Sequence, residues 1–259
     1  MTGERRRFAG GALLLLAACE GGFLPLRGKI EVGRDPMVVF VGGPAASSDL
    51  YALPADGGRA IAITFSPVTE LRPALAPDGG AVAFLRAGSL GDSVPAGVWV
   101  LNLGNGREQQ IELPAGAERP EQVGWSKGGR WLVVRAGGKL YGAEPPPATN
   151  TARPVAADER AGADSALAVL LGRPAFARVV PCEQPEALCV VGETGSPSLL
   201  APHARDPARW GDDSVAYLQD DRLVVRPLGP GRTRRVEWTG VPVSPRQLSM
   251  FAGATAEPR

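Results

Sequence analysis

Short apolar runs separated by glycine, proline and aspartate set the rhythm of this chain. Val38-Val39-Phe40-Val41, Val82-Ala83-Phe84 and Trp131-Leu132-Val133-Val134 are rich in branched and aromatic residues, and turn-forming residues bound each of them. That is the pattern of strands in a turn-dense protein. Only residues 156–172 hint at the i, i+3, i+4, i+7 apolar stripe of a helix. The class this predicts is all-β.

The punctuation is regular enough to define a repeat. One unit recurs: an apolar strand, a short loop, a second strand with an aromatic or branched residue, then a glycine-containing turn. The second strand is clearest in Asp49-Leu50-Tyr51-Ala52-Leu53, Gly97-Val98-Trp99-Val100-Leu101 and Lys139-Leu140-Tyr141. It returns as Ala187-Leu188-Cys189-Val190-Val191 and Arg222-Leu223-Val224-Val225. Taking Leu50, Val98, Leu140, Leu188 and Leu223 as equivalent gives steps of 48, 42, 48 and 35 residues. These average within the ~40–45 residues of a four-stranded propeller blade. The preceding strand repeats at Val39-Phe40, Val82 to Phe84, Leu132 to Val134, Val215 to Tyr217 and Leu248 to Phe251, with a weaker copy at Ala168-Val169-Leu170. Turns such as Pro77-Asp78-Gly79 and Lys127-Gly128-Gly129 introduce several of these strands. Such turns place a positive-φ residue between two strands.

On these residues the chain resembles the TolB-type, WD40-like propeller repeat. The best matches are Pro73 to Phe84, read as Pro-Ala-Leu-Ala-Pro-Asp-Gly-Gly-Ala-Val-Ala-Phe, and Trp125 to Val134. The resemblance implies an all-β propeller of about five to six four-stranded blades over residues 37–253, acting as a non-enzymatic scaffold for another protein. Five second strands stand against six first strands, so two endings are open. Either the C-terminal segment (Val241 to Gly253) completes the first blade, or the sixth copy is a truncated blade in an incomplete ring. Residues 144–166, with Pro145-Pro146-Pro147, predict an inserted loop or short helix that distorts its blade.

Composition refines this reading without redirecting it. The chain holds 34 glycines and 25 prolines, a total that would suggest disorder if they did not sit between strands. Lys and Arg number 28 against 27 Asp and Glu, and that balance argues against a nucleic-acid partner or a polybasic membrane patch.

The amino terminus follows a different pattern. Arg5 to Arg7 precede an apolar run, Phe8 to Ala18, of 11 residues, too short for the ~20 residues of a membrane-spanning helix. Basic residues, a short apolar run and small residues together read as a secretory signal. Leu16-Ala17-Ala18-Cys19 resembles the bacterial lipobox. That resemblance implies removal of residues 1–18, acyl chains (palmitate among them) on Cys19, and attachment to a membrane. Residues 19–36 are then a short linker and residues 254–259 a tail. Stable anchoring takes two or more acyl chains, the number that lipoproteins carry. Glu20 follows the cysteine, and no inner-membrane retention signal is evident, so the outer membrane is favoured over the inner one.

The remaining motifs favour structural roles. Gly124-Trp125-Ser126-Lys127-Gly128 matches the Gly-x-Ser-x-Gly elbow of hydrolases, but the elbow needs a following helix, and Gly129 to Arg135 reads as strand. His203, the single histidine, lies in a loop-like stretch without the further ligands a metal needs. Asp212-Asp213 and Asp220-Asp221 read as turns. Trp99, Trp125, Trp131, Trp210 and Tyr217 read as core, and Trp238 as exposed. Cys182 and Cys189 remain after lipidation. Their spacing suits a strand–loop–strand bridge in an oxidising compartment, and two buried thiols are the alternative. No catalytic residue, metal or cofactor is expected. The competing functional class is a propeller that binds or hydrolyses a saccharide or peptide at its axial mouth.

Overall fold

Alternation along the strands decides the architecture. Met37–Gly42 is buried at every position, and its two faces serve different cores. Met37, Val39 and Val41 pack with Leu75, Val82, Phe84 and Leu101, whereas Val38 and Phe40 pack with Ala216, Leu218 and Val225. Ala81–Ala87 divides in the same way, Val82 and Phe84 to one side and Ala83 and Leu85 to the other. So does Ser214–Gln219, through Val215 and Tyr217 against Ala216 and Leu218. A sheet apolar on both faces must be covered on both, and radial stacking of sheets achieves this. Each fully buried Val, Leu or Phe contributes roughly 1.5–3 kcal/mol.

The computed structural model describes residues 25–146, 149–168, 178–192, 195–211, 213–242 and 244–253. Their strands form a five-bladed β-propeller. From the axis outward, blade 1 is Arg246–Phe251, Met37–Gly42, Asp49–Pro54 and Ile61–Ala62. Blade 2 is Glu70–Leu75, Ala81–Ala87, Pro95–Asn102 and Glu108–Ile111. Blade 3 is Pro120–Trp125, Leu132–Ala136, Lys139–Ala143 and Arg153–Pro154. Blade 4 has three described strands, Arg178–Pro181, Ala187–Val191 and Pro197–Pro202. Blade 5 is Ala204–Trp210, Ser214–Gln219, Arg222–Pro227 and Arg234–Val236.

The C-terminal strand closes the ring: Met37 lies opposite Phe251 and Val41 opposite Arg246. Leu248 to Phe251 is therefore the innermost strand of blade 1, not a sixth copy of Val39-Phe40, which sits one place further out. A second latch lies at the rim. Trp238–Thr239 pairs in parallel with Gly58–Arg59, and the Gly58 and Ala60 amides donate to the carbonyls of Glu237 and Thr239. This latch lays Trp238 on Phe40 at 5.2 Å between ring centroids, so Trp238 is half-buried rather than exposed.

Three further expectations are adjusted. The strand before Ala187–Val191 is Arg178–Pro181; Ala168 to Leu170 does not fill that place, and 169 and 170 lie outside the described residues. The insertion forms the short helix Arg160–Ala166, and the outermost strand of its blade has only two residues. Residues 25–35, read as linker, are docked on the ring. Leu26 and Ile30, one helical turn apart, are buried in the core between blades 1 and 2.

Candidate binding surface around the axial mouth

The two ends of the ring differ. At one, the turn end, lie the Asp78-Gly79, Lys127-Gly128 and Asn105-Gly106 turns; at the other, the hairpin end, lie the loops that join second to third strands and the starts of the innermost strands.

At the hairpin end the innermost strands of blades 1, 2 and 5 share a device that sequence reading missed. In blade 2, Arg72 and Pro73 lie between the paired residues Leu71 and Ala74 and face Phe84 alone. In blade 5, Asp206 and Pro207 likewise face Tyr217. In blade 1, Gln247 and Leu248 face Phe40. The first residue of each pair is left-handed, with φ of 51° at Arg72, 54° at Asp206 and 55° at Gln247. These are β-bulges, which re-aim side chains and concentrate at rims and functional sites. Non-glycine residues held in this conformation carry backbone strain that the surrounding structure must sustain. Only Arg72-Pro73 and Asp206-Pro207, ahead of an aromatic in the next strand, signal the device in the sequence; the Gln247-Leu248 copy lacks even the proline.

Hydrogen bonds stitch these strands together around the axis. The Arg72 amide donates to Gln247 Oε1 at 2.6 Å and the Leu75 amide to Ser249 Oγ at 2.8 Å. The Trp125 indole donates to the Ala74 carbonyl at 2.8 Å, and the Arg205 guanidinium to the Pro245 carbonyl at 2.9 Å. Arg205 also pairs with Asp206 at 2.6 Å and with Asp221. Arg246 donates to the Gly43 and Ser244 carbonyls at 3.1 and 2.9 Å. Burial pulls its guanidinium below the usual range, with Asp206 opposing that pull. Arg72 is exposed. The mouth is therefore a rigid rim of arginine, glutamine and aspartate side chains.

Loops at the same end expose three large apolar side chains. Phe65 is 75 % exposed, Leu90 74 % and Val94 41 %. Phe65 precedes the first strand of blade 2, and Leu90 and Val94 lie in the loop after its second strand. A buried polar chain supports this corner. The Glu70 carboxylate is fully buried; it accepts from Thr64 Oγ1 and from Arg86, which also reaches Glu108 at 2.8 Å. Arg86 stacks over Trp99, 4.5 Å from the ring centroid. Burial raises the Glu70 carboxyl above its ordinary value, against the pull of Thr64 and Arg86.

Of the other sequence candidates, Asp220, Asp221 and His203 lie at this same end, Asp221 through its pair with Arg205, and Ser126 lies at the opposite end. Ser126 Oγ accepts from the Trp131 amide at 3.0 Å and holds the blade 3 turn, and a strand, not a helix, follows it. His203 is exposed in the turn between blades 4 and 5, with φ of 50°. Asp220 and Asp221, at φ of 50° and 57°, form the two-residue turn of a hairpin, a type that needs positive φ at both positions. Asp212 lies outside the described residues, as do Cys19 and residues 1–18. Trp125 and Tyr217 are buried, while Trp99, Trp131 and Trp210 are half-buried. Cys182 and Cys189 are joined by a disulfide, with Cα atoms 5.2 Å apart. Among the described residues, no three His, Cys, Asp or Glu side chains gather as metal ligands would, and no helix is long and apolar enough to cross a membrane.

The fold defines the chain as a five-bladed β-propeller. It is similar in structure to TolB from Acinetobacter baumannii, with a TM-score of 0.53, 16% identity, and coverage of 83% of this chain and 66% of that one. The chain thus spans just under two thirds of that protein's length. It is also similar to a chain of the nidogen/laminin complex, with a TM-score of 0.52, 10% identity, and coverage of 85% of this chain and all of the other. No protein-family model matches the sequence, and no curated protein does.

Proposed function

We propose that this protein is a lipid-anchored scaffold of the bacterial cell envelope, whose propeller binds another protein and performs no catalysis. The observation that carries the reading is the hairpin end, whose loops expose Phe65, Leu90 and Val94 at the same end of the ring as the polar axial rim. Exposed apolar surface rimmed by polar residues is a mark of protein contact. One of the similar folds comes from a nidogen/laminin complex. Cys19 supplies the anchor, the outer membrane is the favoured destination, and the propeller faces the periplasm.

Affinity purification from detergent-solubilised envelope tests the scaffold. The wild-type chain should retain a protein partner that the double variant Phe65→Asp, Leu90→Asp loses while keeping its native circular dichroism. A wild-type chain that retains no protein but binds a saccharide or peptide would put the axial-ligand reading in its place. Cys19→Ala should leave the membrane fraction or remain unprocessed; unchanged membrane fractionation would remove the anchor from the proposal.

A further inference from the structure

The position of the docked amino-terminal segment decides which end of the ring meets the membrane. Leu26 to Asp35 forms two tight turns, the Ile30 amide donating to the Leu26 carbonyl and the Asp35 amide to the Glu31 carbonyl. Leu26 is 1% and Ile30 4% exposed. The segment lies against the turn end: Gly33 abuts the Asp78 carbonyl, a cleft of about 470 Å³ runs between Leu26 and Leu103–Gly104, and the Ala55 amide donates to the Pro36 carbonyl. From Cys19 to Pro25 the chain spans at most about 20 Å when fully extended.

We infer that the propeller is held with its turn end toward the lipid surface, and that the axial rim with Phe65, Leu90 and Arg72 faces away from it. The inference rests on the proposed acylation of Cys19. A six-residue strand rises about 20 Å, so the hairpin end lies roughly one ring height further from the bilayer than the docked segment. Charge does not set this orientation. The turn end carries exposed charges of both signs, Lys29, Arg34, Arg107 and Lys127 among Glu31, Asp35, Asp56 and Asp78. The tether sets it, and the surface left open to the periplasm is the one that carries Phe65, Leu90 and Val94.

Single introduced cysteines test this, because the native ones are consumed by acylation and by the disulfide. The acylated protein is reconstituted into phosphatidylcholine vesicles, with Lys127→Cys or Arg107→Cys reporting the turn end and Leu90→Cys or Lys139→Cys the hairpin end. A fluorophore on each is quenched by an acceptor on lipid headgroups. Quenching at the turn end should exceed that at the hairpin end about twofold, given the height of the ring. It should be the same when anionic lipid is added. Inserting about 20 Gly/Ser residues after position 24 should abolish the difference, since such a linker is a flexible coil. Equal or reversed quenching in vesicles that carry the protein on flotation would overturn the orientation alone. Protein that does not float with vesicles overturns the acylation and the orientation with it.

Discussion

Single residues hold this ring at points where a small change has no room. Gly79 sits at φ of 69° in the Asp-Gly turn of blade 2, and a Cβ there would stand 2.6 Å from the Phe251 ring of the closing strand. Gly79→Ala combines an unfavourable backbone conformation with a clash, and should cost about 2–3 kcal/mol in urea denaturation. The turn glycine was legible from Pro77-Asp78-Gly79; its contact with a residue over 170 positions away was not, because no local pattern encodes it. The cysteine pair lies at the other limit. Its spacing alone made a bridge reasonable, and register completes the picture: Cys182 donates its amide to the Ala187 carbonyl at 2.8 Å within the same hairpin. Loss of the bridge in Cys182→Ser, Cys189→Ser should cost about 2–3 kcal/mol on the chain-entropy estimate for so short a loop. Comparing denaturation midpoints of this variant and the wild type, each with and without reductant, checks it. Reductant should lower only the wild-type midpoint.

Among the elements, the strands plainest in the sequence are those buried on both faces, and those it missed explain themselves. Met37–Gly42, Ala81–Ala87 and Ser214–Gln219 read as apolar runs because two cores claim their alternate residues. The innermost strands Glu70–Leu75 and Ala204–Trp210 carry arginine, aspartate, glutamate and proline, since they border the axis and turn through a bulge. Their composition looks like loop. For the same reason the axial rim was illegible, while the hairpins around it were plain. Glu70 shows what such a strand can carry. Its carboxylate joins the connection from blade 1 to the second and outermost strands of blade 2 through Thr64, Arg86 and Glu108. Glu70→Ala leaves Arg86 without its buried partner and should destabilise by about 3–5 kcal/mol. A carboxyl whose folded pKa is raised stabilises most below its unfolded value and loses that contribution as pH rises through the folded one. Thermal unfolding should therefore show Glu70→Gln gaining relative to wild type as the pH climbs from mildly acidic toward neutral. Parallel profiles for the two proteins across that range would count against the burial-dominated reading of Glu70.

For the molecule as a whole, stability depends on closure, because every blade face is buried only by its neighbour. The five-to-six blade estimate resolves to five once Arg246–Phe251 is assigned to the blade that begins at Met37. That pairing joins the two ends of the described chain, so the contacts that finish the ring are the least local it has, and such contacts form late and slowly. Two latches share the task, the inner strand and the rim pair Trp238–Thr239 with Gly58–Arg59. The inner one contributes far more: it buries Leu248 and Phe251, covers the edge of Met37–Gly42, and offers Ser249 Oγ as acceptor to the Leu75 amide of blade 2. Ser249→Ala removes a single cross-blade hydrogen bond and should cost about 1 kcal/mol. A chain ending at Ser244 lacks the whole strand, and it exposes an apolar, flat strand edge of the kind that templates aggregation. It should lose the single cooperative transition in near-ultraviolet circular dichroism and elute as aggregate on size exclusion. A truncated chain that unfolded cooperatively as a monomer would show that the rim latch alone closes the ring.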